Sequence, residues 1–160
     1  LSPLIASAEP IVLIRSGEPE QAIELCERVL DDFPGDNNIK FHLGEALTMS
    51  GKYAEAIRTL RSRDVSTADV NFMLGYAYAR NGQYDKATEV LNYLLEKRNR
   101  AYVPPAMIAL IYYGMGDKDM TLDWLNKETN YFMLLFGPMR PLWTDQDFAH
   151  IYEFLDQDPI

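Results

Sequence analysis

The residues of this chain that could carry chemistry are one cysteine, two histidines and a surplus of carboxylates. Cys26 has the side chain of a nucleophile, and His42 and His150 have those of general bases or metal ligands. The two histidines fall in different predicted helices, and neither has a second ligand at metal-site spacing. Cys26 occupies an apolar helix position, which indicates a buried structural thiol. The sequence therefore predicts a protein that is not an enzyme and has no metal or cofactor.

The charge balance limits the classes of partner that this chain is expected to bind. The 160 residues include 15 basic and 24 acidic side chains, for a net charge of −9. This excess of acid argues against a nucleic-acid-binding surface and against an anionic membrane surface. No apolar run approaches the roughly 20 residues that span a bilayer, so no membrane insertion is expected. Because the sequence begins at Leu1, we expect a fragment or a processed form of a longer protein. The lack of a secretory leader and of a transmembrane segment slightly favours the cytoplasm.

Glycines at nearly constant spacing divide the predicted helices into pairs. Gly17, Gly51, Gly82 and Gly116 are separated by 34, 31 and 34 residues. The residue five positions after each glycine is Ala or Thr, and the residue seven positions before is Gly or Ala in three of four cases. Small residues at these positions let two helices approach closely. One pair cannot bury its apolar face alone, so the pairs must stack.

These residues resemble the tetratricopeptide repeat family over about residues 7–130. The third repeat carries the most complete set: Leu74, Gly75, Tyr78, Gly82, Tyr84 and Ala87. The resemblance implies a single all-α domain, a right-handed superhelical solenoid of four helix pairs with a C-terminal capping helix. The repeats would span about 7–36, 37–66, 67–101 and 102–131, and the tail and cap would occupy 132–160.

The start of the first helix has two alternatives. A start at Ser2-Pro3 would place Pro10 inside the helix, where proline removes a hydrogen bond and clashes with the preceding turn. A start at Ser7 leaves Pro10 in the first turn, and this favours a helix over 8–16. The other predicted helices are 19–32, 38–50, 53–62, 68–81, 84–97, 105–115 and 118–131, followed by a cap at 146–155 anchored by Trp143.

The resemblance also implies a binding surface. In this family the first helix of each pair lines a concave groove that binds a peptide or helix of another protein. The corresponding candidate residues are Arg15, Phe41, His42, Glu45, Met49, Phe72, Tyr76, Arg80, Leu110 and Tyr113. Aromatic and methionine side chains bury a large area and adapt to a partner. Because apolar residues at helical spacing usually form the core, several of them could instead pack between helices.

One recognition mode of related arrays is not expected. Some of them bind a partner's C-terminal carboxylate with a Lys/Arg/Asn clamp. The corresponding positions here hold Phe41, Glu45, Asp69, Phe72 and Met73, none of which supplies a cation.

The C-terminal third suggests an alternative function. Residues 103–125 and 140–148 are similar to the terminal repeats of bacterial multi-domain regulators. That resemblance implies a sensor or regulatory domain of a larger transcription or signalling protein, binding a small ligand or its own neighbouring domain.

The apolar run at 131–136 must be covered, and we expect it to cap the last repeat. A homodimer contact is the second expectation, and filling of the groove is the third.

Overall fold

A computed structural model describes residues 3–62 and 68–127, with the side chains of 9–62 and 72–127. These residues form eight α-helices and no strand: α1 (Pro3–Ser16), α2 (Pro19–Asp32), α3 (Asn37–Met49), α4 (Tyr53–Arg61), α5 (Ala68–Arg80), α6 (Tyr84–Arg98), α7 (Pro105–Met115) and α8 (Lys118–Leu125). None of these eight helices combines the length and apolarity needed to cross a bilayer.

The helices stack as four pairs. Each first helix packs against the second helix of its own pair, and each second helix packs against the first helix of the next pair. The first helices also contact one another in order, α1 to α3, α3 to α5 and α5 to α7. These four helices therefore form a continuous layer, which we call the first-helix layer. The all-α stack of helix pairs, which the glycine spacing predicts and the resemblance identifies as a solenoid, is confirmed.

Each first helix is followed within two residues by a glycine in the left-handed conformation. Gly17, Gly51, Gly82 and Gly116 have φ values of 80°, 73°, 74° and 81°. After each glycine the chain turns back, and the next N–H donates to a carbonyl in the last turn of the helix, as Gln83 does to Tyr78 at 2.8 Å. Glycine adopts this conformation without the steric cost that a Cβ brings. The recurring glycines thus set the position of every turn within a pair.

Two further glycines sit where helices approach closely. A Cβ on Gly75 would lie 2.6 Å from the Cδ1 of Ile111, and one on Gly44 would lie 2.5 Å from the Cγ of Leu60. Ile111 and Leu60 are themselves buried, with 0% and 2% exposure. Neither neighbour can move aside without disturbing the packed core. The small residues predicted to permit close packing therefore do so at these two positions.

This packing predicts the effect of adding one methyl group. Gly44→Ala is expected to destabilise the chain by about 1–3 kcal/mol, because the new Cβ overpacks the contact with Leu60. Gly35→Ala is the matched control, since a Cβ there meets no atom within 4 Å. Urea denaturation of both variants checks the prediction. Equal stability of the two variants would contradict it.

The predicted start of α1 was wrong. The helix begins at Pro3 instead of after Ser7 and continues through Pro10. An interior proline costs a helix about 3 kcal/mol or more in isolation. Here the ring of Pro10 is buried, so apolar burial offsets part of that cost. Pro3 also supplies a favourable first helical residue, because its missing N–H would have no partner there in any case.

The end of α8 also differs from the prediction. The helix was expected to reach residue 131 but ends at Leu125. Lys127 donates its N–H to the carbonyl of Trp124, three residues back, at 3.2 Å. This tighter turn replaces the four-residue spacing of an α-helix. The expectations for 131–136, Trp143, His150 and the cap at 146–155 lie outside the described residues.

Candidate functional site

The ten candidate groove residues divide by exposure. Arg15 and Arg80 are exposed, and the half-buried residues are Phe41, His42, Met49 and Tyr113. The remaining four are buried: Phe72 at 1%, Tyr76 at 3%, Glu45 at 4% and Leu110 at 0% exposure. Each of these four lies on a first helix that is packed on several sides. These four side chains therefore pack within the helix stack and present little surface of their own to a partner.

Three of the candidates, buried Tyr76, half-buried Tyr113 and exposed Arg80, form a cluster with half-buried Tyr53. The rings of Tyr53 and Tyr76 meet edge-on, with centroids 6.2 Å apart at 90°. The rings of Tyr76 and Tyr113 are nearly parallel at 14°, with centroids 6.4 Å apart. Arg80 donates from Nε to the Tyr53 hydroxyl at 3.2 Å, and its Cζ lies 5.7 Å from the centre of that ring. We call Tyr53, Tyr76, Arg80 and Tyr113 the tyrosine–arginine cluster.

Neighbouring small residues allow the cluster to form. A Cβ on Gly114 would lie 2.8 Å from the Cδ2 of Tyr76 and 3.0 Å from the Cβ of Ala79. Glycine at this position of α7 therefore leaves the space in which α5 and its Tyr76 ring pack. Tyr76 in turn provides the fixed ring against which Tyr53 and Tyr113 rest.

The charges of the cluster are well defined. Burial, followed by the neighbouring Tyr53, raises the pKa of Tyr76, so this phenol stays protonated. The hydrogen bond with Tyr53 raises the pKa of Arg80, so the guanidinium stays charged. The cluster therefore presents one fixed positive charge beside neutral aromatic surface.

Tyr53 is the member of the cluster that the sequence did not predict. It lies at the start of the second helix α4, whereas only first helices were considered. Tyr84 occupies the equivalent place two residues after its own turn glycine, yet it is 55% exposed. In the repeat after Tyr53, the position two residues before the turn glycine holds Arg80. In the repeat after Tyr84, the same position holds Gly114. Comparing the tyrosine position of one repeat with the position two residues before the turn glycine in the next repeat would have identified Tyr53.

His42 and Glu45 form a separate contact within α3. His42 Nδ1 lies 3.4 Å from Glu45 Oε2, and both side chains are largely buried. The ring of Phe41 meets that of His42 edge-on, with centroids 5.5 Å apart. Glu45 is thus occupied by its own helix neighbour. Its carboxylate is therefore not exposed to a partner.

Cys26, the side chain that could act as a nucleophile, has a structural role. Cys26 has 0% exposure, and burial, followed by Glu45 and Glu27, raises its pKa to about 12. A thiol of this kind stays protonated and is a poor nucleophile. The buried thiol predicted from the repeat pattern is confirmed. Among the residues that the structure describes, no group of three His, Cys, Asp or Glu side chains could hold a metal ion.

Family comparisons agree with the helix pairs. Two family models, both described as tetratricopeptide repeat, match residues 13–64 and 51–104. Together they span more than half of the chain and include α2 to α6 completely. Tyr53, Tyr76 and Arg80 fall inside the matched range, and Tyr113 lies beyond it. No curated protein matches the sequence closely enough to count as a relative.

Proposed function

Because the chain belongs to the tetratricopeptide repeat family, we propose that its first-helix layer binds a peptide or helix of another protein. Repeats of this family generally mediate protein–protein interactions and are typically non-catalytic. The proposal adds a specific surface to that general role. Its centre is the tyrosine–arginine cluster, with Phe41 and Met49 of α3 as further apolar contacts.

The observation that carries the proposal is the way Arg80 is held. Its guanidinium is exposed, but its position is fixed by a hydrogen bond and a ring contact with Tyr53. Tyrosine and arginine are the residue types that most often dominate binding energy at interfaces. A side chain that is ordered before binding loses less conformational entropy when a partner arrives. A fixed arginine beside aromatic surface is therefore suited to anchor and orient a peptide.

The experiment is an affinity capture with an internal control. We expect the wild-type chain to retain a protein partner, and Arg80→Glu to lose most of it, because a fixed positive charge becomes negative. Arg100→Glu is the control, since Arg100 is also exposed and its guanidinium pairs with Glu96 near the end of α6. Circular dichroism verifies that both variants remain helical.

Two outcomes would redirect the proposal. Equal capture by wild type and Arg80→Glu would place the binding surface elsewhere on the chain. The absence of a protein partner, together with a thermal shift produced by a small metabolite, would favour the sensor function of a bacterial regulator.

A further inference from the structure

A second surface feature lies on the other side of α5 from the tyrosine–arginine cluster. It is an open cleft of about 470 Å³ between the end of α4 and the first half of α6, lined by Arg61, Leu74, Tyr78, Lys86, Glu89 and Val90. Leu74 and Tyr78 precede Tyr76 and Arg80 by two residues, which is about 200° around a helix. The cleft and the cluster therefore face different directions, and one ligand side chain cannot occupy both.

The cleft has an apolar floor. Leu74 of α5 and Val90 of α6 are half-buried, and the ring of Tyr78 between them has only 7% exposure. A volume of this size falls in the range of ligand sites in proteins. The floor thus offers a place for an apolar side chain of an incoming molecule.

The rim of the cleft carries two cations. Lys86 Nζ lies 5.4 Å from the centre of the Tyr78 ring and donates to Gln83 Oε1 at 2.8 Å, so its head group is held above the floor. Arg61 is the last residue of α4 and is exposed. Its guanidinium forms no hydrogen bond or ion pair with any other residue in the described part of the chain. Glu89 is the acidic residue among the described residues that line the cleft.

The described residues that line the cleft have a net charge opposite in sign to that of the whole protein. The chain has a net charge of −9, yet the described residues that line the cleft include two cations and one anion around an apolar floor. Complementary charge selects partners and excludes unsuitable ones. Lys86 and Glu89 are one turn apart on α6, so Glu89 offsets part of the positive charge, and Arg61 of α4 supplies a second cation.

We propose that this cleft is a second docking site, which binds an acidic–apolar peptide segment of a partner protein. A carboxylate of that segment lies beside Arg61 and Lys86, and a neighbouring apolar side chain rests on Leu74 and Val90. The site is independent of the first-helix layer, so it can act on a second segment of the same partner or on a different protein.

The test is a selection from random peptides displayed on phage, with the 160-residue chain as target. The library is first depleted on the Arg61→Glu/Lys86→Glu variant and then selected on the wild type. Surviving peptides depend on the two cations. We expect them to contain Asp or Glu next to Leu, Ile, Val or Phe, and a synthetic consensus peptide to bind Arg61→Glu at least about tenfold more weakly than wild type.

Arg58→Glu is the matched control, because Arg58 is exposed on the same helix and does not line the cleft. It is expected to bind the consensus peptide within about twofold of wild type. Failure to enrich any peptide, enriched peptides without acidic residues, or an equal loss with Arg58→Glu would each overturn the proposal. Self-association in sedimentation velocity that Arg61→Glu abolishes would assign the cleft to a second copy of this chain and would also overturn it.

The Arg80 experiment remains a separate test. Arg80→Glu leaves the cleft intact, so it is expected to retain the consensus peptide even where it loses the partner of the first-helix layer.

Discussion

Replacing Phe72 with alanine is expected to lower the free energy of unfolding by about 3–5 kcal/mol. Phe72 is among the largest fully buried side chains of the described core. Its removal takes a large apolar group from the centre of the stack and leaves a cavity that the neighbouring helices cannot close completely. Urea denaturation followed by far-UV circular dichroism measures the loss.

The control for Phe72→Ala is another aromatic residue that is not buried. Tyr93 on α6 is 45% exposed, and Tyr93→Ala is expected to change stability by no more than about 0.5 kcal/mol. A Phe72→Ala variant that keeps its stability but loses its partner would contradict the structural role of Phe72 and indicate that Phe72 contacts the partner.

The second large effect is expected on partner affinity. Arg80→Glu combined with Tyr113→Ser is expected to weaken binding by about 100-fold, which corresponds to roughly 2–3 kcal/mol. The first change reverses the fixed charge, and the second removes a ring that stacks on Tyr76. Because Arg80 is exposed and Tyr113 is half-buried, the helix stack is expected to persist. Isothermal titration calorimetry with the captured partner measures the affinity.

A double variant with the same substitutions elsewhere serves as the control. Arg100→Glu with Tyr93→Ser changes an arginine and a tyrosine that line a different surface, beside Glu96 and Lys97. This variant is expected to keep nearly the full affinity. A loss of affinity of less than about threefold in Arg80→Glu/Tyr113→Ser, or equal losses of affinity in both double variants, would show that the cluster is not part of the interface.

Much of the fold could be predicted because its determinants are local. A left-handed turn requires glycine or pays a steric cost, so the four glycines identified four turns. Gly44 and Gly75 could be placed at close helix contacts for a different reason, because a small residue at a recurring position lets two helices approach closely. The start of α1 could not be predicted, because the cost of Pro10 is local whereas its compensation by burial depends on the packed helices around it.

The binding surface was less accessible to prediction than the fold. Periodicity indicated which face of each first helix points towards its neighbours, but it did not separate exposed residues from buried ones on that face. Arg80 and Tyr113 remain accessible, whereas Phe72 and Leu110 are covered by the stack. Tyr53 was missed because its contact with Arg80 joins two repeats, and such a pair is visible only when successive repeats are compared.

The central claim, that a protein partner docks on the tyrosine–arginine cluster, is tested most directly by hydroxyl-radical footprinting of the complex. The chain carries its own reporters: Tyr53 and Tyr113 are half-buried in the cluster, and Tyr93 and Tyr102 are exposed away from it. We predict that the partner protects Tyr53 and Tyr113 from oxidation and leaves Tyr93 and Tyr102 as reactive as in the free chain. Protection of Tyr93 or Tyr102 with no change at Tyr53 and Tyr113 would contradict the claim.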